Sequence, residues 1–138
     1  MKKLSLLALV LLATAGSAMA QGASQDEFQS MTVTMTCMAY TNETGLNRGI
    51  PQEDSVAMGH KALEMYKQVQ PKLTGMPIPN NPDELALDFA YVYHNSVSQA
   101  LYNIELFNKA RGVEDVSSAH ESAAVALWFR DNCNLLLK

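Results

Sequence analysis

The sequence predicts an all-α fold: a single-domain, irregular four-helix array whose N- and C-terminal helices are joined by one disulfide. Three observations predict it. Apolar residues recur at three- and four-residue steps along four segments, capping residues or prolines stand where those segments begin, and the two cysteines, Cys37 and Cys133, lie near opposite ends of the chain.

Residues 1–20 precede the first helix and read as a cleavable secretory signal peptide. Met1-Lys2-Lys3 is a basic start, Leu4 to Gly16 is apolar, and Ala18-Met19-Ala20 offers small residues at the positions a signal peptidase inspects. The apolar stretch is shorter than the roughly 20 residues of a membrane-spanning helix, and polar Gln21, Ser24, Gln25 and Asp26 follow it. No stable membrane anchor is therefore expected, and the predicted location is periplasmic or secreted. Residues 21–138 form the predicted helical domain.

Of the ten basic residues, Lys2 and Lys3 fall in the signal segment, which leaves eight against fourteen acidic ones. That balance, with no basic run, argues against nucleic acid as a partner, because such binding relies on clustered Lys and Arg. In an oxidising compartment Cys37 and Cys133 are expected to pair. Neither has the CxxC spacing or basic neighbours of a reactive thiol.

The first helix is predicted over about residues 25–41. Met31 to Cys37 alternates as a strand would, with Thr and Val at β-favouring positions. Against that stand a capping box at Ser24 and Glu27, a helical stripe of Phe28, Met31, Met35 and Met38, and the lack of a second alternating segment to pair with. The second helix is predicted from near Pro51 to Gln70, ending before Pro71, with Val56, Leu63, Tyr66 and Val69 as its apolar face and Gly59 as a weak point unless a neighbour packs closely there.

The third has Asn81 as N-cap, Pro82 at the first helical position, and acidic Asp83 and Glu84 in the first turn. Its stripe of Phe89, Tyr93, Val97, Ala100, Ile104 and Phe107 runs to a cap at Gly112, so this longest helix is the expected spine. The fourth is predicted to start from a capping box at Ser118 and Glu121 and to run through Cys133 to Leu137, with Ala119, Ala123, Ala126 and Phe129 inward. A simple up-and-down bundle would leave Cys37 and Cys133 at different heights. The disulfide thus requires an axial shift or a crossover connection.

No catalytic constellation is visible. His60, His94 and His120 are widely separated, without HExxH or repeated ExxH, and GxSxG, SxxK, CxxCH and glycine-rich phosphate loops are absent. The acidic pairs Glu53-Asp54 and Asp83-Glu84 are explained by first-turn dipole compensation. The chain is accordingly read as no enzyme and as needing no cofactor.

The expected function is binding of a protein partner in the periplasm, as a stress chaperone, an inhibitor or a toxin-immunity protein would. Tyr91 and Tyr102, off the core stripe of the third helix, are the candidate contact residues. One alternative is a copper or small-ligand carrier using the methionine-rich first helix, with Met35, Met38 and His60 as candidate ligands, and another is an enzyme without a recognisable motif. The ordinary use of such methionines is adaptable packing.

Overall fold

Ser24 starts the first helix in the way its side chain predicts: its hydroxyl accepts from the Glu27 backbone N–H at 3.1 Å, and the Glu27 carboxylate accepts from the Ser24 N–H at 2.9 Å. The computed structural model describes residues 22–44, 49–113 and 116–138. The predicted signal segment lies outside them, as does the side chain of Ser118. The elements are α1 (Gln25–Glu43), α2 (Gln52–Thr74), α3 (Pro82–Ala110), α4 (Val116–Arg130) and a C-terminal 3-10 helix (Cys133–Leu137).

α1 resolves the strand-like run in favour of helix. The hydroxyls of Thr32, Thr34 and Thr36 donate to the carbonyls of Phe28, Ser30 and Thr32, four residues back. Each threonine thereby satisfies its polar group within the helix, and Met31, Met35 and Cys37 are left to be buried.

α2 departs from expectation at its end. Pro71 does not stop it; the helix continues to Thr74 and closes on Gly75 at φ +71°, whose N–H donates to the Pro71 carbonyl. Proline costs an N–H that would have bonded Lys67, and Lys67 is exposed, where water can serve its carbonyl. The buried stripe is Met58, Ala62, Tyr66 and Val69, with Val56 turned outward. Gly59 faces open space, so no close helix approach explains it.

α3 begins and ends as predicted, with the Asn81 side chain accepting from the Asp83 N–H at 2.9 Å and Gly112 at φ +68° beyond its end. It is not the spine. α1 takes that place, packing against α2, α3 and α4, while α3 packs mainly on α1 and α4. α2 meets α3 through side chains, the Tyr66 ring lying edge-on to Phe89 at 5.4 Å and its hydroxyl donating to Asp88.

α4 is shorter than predicted. It starts before Ser118 and stops at Arg130, and Asn132 adopts a left-handed conformation, φ 57°, before the chain turns into the 3-10 helix. Asparagine tolerates this conformation better than most residues, and it supplies the stop that neither glycine nor proline marks here. The inward residues are Ala123, Ala124, Leu127 and Trp128, with Phe129 half exposed, because the bulkiest pair, Leu127 and Trp128, fills the core.

This short helix answers the height problem. His120, near the start of α4, contacts Glu43 at the end of α1 at 2.7 Å, while Asp131, just past the end of α4, accepts from the Tyr40 hydroxyl. α4 therefore runs antiparallel along only the C-terminal half of α1. Its lower end lies level with Cys37, and the Cys37–Cys133 disulfide closes with α-carbons 5.6 Å apart. An axial shift satisfies the bridge without a crossover.

Two cores result. One gathers Tyr40, Ile50, Met58, Ile104, Leu127 and Trp128 around the disulfide. The other gathers Ala23, Met31, Met35, Ala62, Tyr66 and Val69, with the N-terminal half of α3 against it and, among the described side chains, none from α4.

Candidate functional site

α3 is 29 residues long, and α4 covers only part of it. Its inward side carries Ser96, Ala100, Ile104 and Asn108, all buried. Its outward side carries Leu87, Tyr91, Tyr102 and Leu106, exposed by 73, 79, 56 and 46 %. From Phe89 to Ile104, sixteen residues, the chain has no Asp, Glu, Lys or Arg. An exposed helix ordinarily bears charge on its solvent side; this one presents Tyr91 and Tyr102 with the uncharged polar residues Asn95 and Ser98 between them, and keeps the exposed charges Glu84, Glu105 and Lys109 toward its ends.

The flanks of this face are fixed from within. Tyr93 is half-buried, stacks on Phe89 at 6.0 Å and accepts a hydrogen bond from the Asn42 amide at 2.7 Å. Burial pushes its phenol up to about 12, with the nearby Glu43 carboxylate acting in the same direction and the Asn42 bond against it. Asn103 donates to the Tyr40 hydroxyl at 2.8 Å, which itself donates to Asp131, and Arg130 holds the other Asp131 oxygen at 2.7 Å. Burial likewise raises Tyr40 to about 12. α3 is thereby pinned to α1 and to the end of α4, so its outer face is borne on a rigid support.

Tyr91 and Tyr102 thus lie on one exposed helical face. Leu87 and Leu106 belong to the same face, although the sequence did not single them out. The signal for them was present: each lies four residues from one of the two tyrosines, on the side of the helix opposite Ala100 and Ile104.

The candidate metal ligands are distributed differently. Met35 is buried in the second core, and Met38 is partly buried between the two cores. His60 is exposed on the side of α2 opposite Ala62 and Tyr66, in a shallow depression with Gln52, Glu53, Val56 and Ala57. The helix pair therefore keeps Met35 and His60 apart, one inside and one facing solvent. Among the described residues no three His, Cys, Asp or Glu side chains come together as a metal-binding group, and no helix is long and apolar enough to cross a membrane. The amide of Asn108 and the indole N–H of Trp128 are fully buried and meet no protein partner among the described residues.

The chain matches no family model, no curated protein and no solved structure at a significant level.

Proposed function

We propose that this is an exported helical domain that acts by binding a protein through the outer face of α3. The observation that supports it is the tyrosine- and leucine-bearing face itself: Leu87, Tyr91, Tyr102 and Leu106 stand in solvent on a helix held from behind, with only the uncharged Asn95 and Ser98 between the two tyrosines and no Asp, Glu, Lys or Arg from Phe89 to Ile104. Tyrosine contributes large contact area for few rotatable bonds and is enriched in interfaces. Export is supported by the signal-like segment 1–20, and the disulfide is suited to an oxidising compartment. A chaperone, an inhibitor or an immunity protein each works through such a surface.

Capture from a periplasmic extract tests this reading. Tagged protein should retain a specific partner, Tyr91→Arg should lose it, and Gln68→Arg on the exposed side of α2 should not. Retention that is equal in all three, or recovery of the bait without any second molecule, of this chain or another, would contradict it.

A further inference from the structure

The outer face of α3 reads nearly the same from either end. About the midpoint between Ser96 and Val97, Leu87 mirrors Leu106, Tyr91 mirrors Tyr102, and the acid Glu84 mirrors the base Lys109. At about 100° per residue, each mirrored pair also falls symmetrically about the line of the helix that points away from the core. All six are exposed, as are Asn95 and Ser98, a mirrored polar pair between the tyrosines, and the acid Glu105, which mirrors the partly buried acid Asp88.

We infer that this face docks on the same face of a second copy, with the two α3 helices antiparallel. The inference rests on the binding reading above and names its partner. A two-fold axis makes an interface self-complementary, so that each contact occurs twice. Here it sets Tyr91 against Tyr102 of the partner subunit, Leu87 beside Leu106 of the partner subunit, and Glu84 against Lys109 of the partner subunit. A parallel pair would instead oppose Glu84 to its own copy and Lys109 to its own copy, whereas the antiparallel pair sets these two opposite charges together and leaves the acids Asp88 and Glu105 at its edges. The uncharged middle of the helix then becomes the centre of the interface, where unpaired charge would be most costly to desolvate. One helix face of this length covers on the order of 500 Å² per copy, at the low end of specific interfaces, the size class of weak and reversible associations.

Sedimentation of the purified, oxidised protein over a concentration series tests the pairing. Twice the monomer mass is expected at about 100 μM, with dissociation on dilution into the low micromolar range. Tyr91→Arg places a charge at both symmetric contacts and should weaken association about a hundredfold. Glu84→Lys should weaken it about tenfold, and Glu84→Lys combined with Lys109→Glu should restore it. Circular dichroism keeps the result interpretable, since these exposed substitutions leave the helical spectrum unchanged if folding is intact. A monomer throughout the series, or a dimer indifferent to both Tyr91→Arg and Glu84→Lys, would overturn self-pairing. A monomeric protein that captures a different partner through Tyr91 removes only the self-pairing, whereas one that captures nothing removes the binding reading as well.

Discussion

The two ends of this molecule are built to different standards. At the closed end all four α-helices and the 3-10 helix meet: α4 seats Leu127 and Trp128 against α1 and α3, Met58 of α2 joins them, the disulfide ties Cys37 to Cys133, and Tyr40 joins Asp131 and Asn103. At the open end α1, α2 and the first half of α3 meet without α4, around Met31, Met35 and Tyr66, with Met38 and Met65 packed alongside. Methionine fills irregular space and adapts to change. Cross-links are thus concentrated where α4 reaches, while the outer face of α3 is bare at both ends, at Leu87 and Tyr91 as at Tyr102 and Leu106.

The largest expected effect strikes the closed end. Cys37→Ser together with Cys133→Ser opens a link between residues 96 apart and should lower stability by about 4–5 kcal/mol on the chain-entropy argument, read as a fall in the urea midpoint. Equal loss of hydrogen-exchange protection at Met31 and at Leu127 would break the distinction between the ends; earlier loss around Leu127 would sharpen it.

Gly49 comes next. It sits at φ +94°, and an added Cβ would lie 3.0 Å from both methyl carbons of Val125 on α4. Gly49→Ala should therefore cost about 2 kcal/mol, from backbone strain and contact together. Adding Val125→Ala should return only the contact part.

Tyr40 gives a pH signature. Its phenol ionises at about 12 in the folded protein, against about 10 in an unfolded chain. The raised value stabilises the folded state fully below pH 10, and that contribution is lost as pH climbs through 12. Tyr40→Phe should flatten the decline in urea midpoint over this window and, by removing the hydroxyl between Asp131 and Asn103, cost about 1–2 kcal/mol at neutral pH.

The smallest effect has the opposite sign. Gly59 lies inside α2, where an added Cβ would meet nothing within 4 Å, and its backbone has no left-handed requirement. Gly59→Ala should therefore raise stability by about 0.5–1 kcal/mol, read as a rise in the urea midpoint.

Much of this fold was legible because its signals are local. Ser24, Glu27, Asn81 and Pro82 mark helix starts by satisfying backbone donors within a few residues, and Ala100 and Ile104 are buried where their periodicity puts them. What was not legible depends on distant neighbours. Pro71 carries no sign that its missing bond falls on the wet side of α2, and Asn132 carries none that it will turn left-handed. The rotation of α4 that buries Leu127 and Trp128 is settled by the space α1 and α3 leave. The candidate face was half legible: Tyr91 and Tyr102 stood out by residue type, whereas Leu87 and Leu106, common core residues by type, are marked only by their position opposite Ala100 and Ile104.

The central claim is that the bare face of α3 is a binding face, and site-specific photocrosslinking tests it most directly. A photoreactive residue replacing Tyr91 should give a discrete protein adduct in cells producing the full chain, whereas the same residue replacing Gln68 should give none. Adducts of equal yield from both positions, or none from position 91, would contradict the claim.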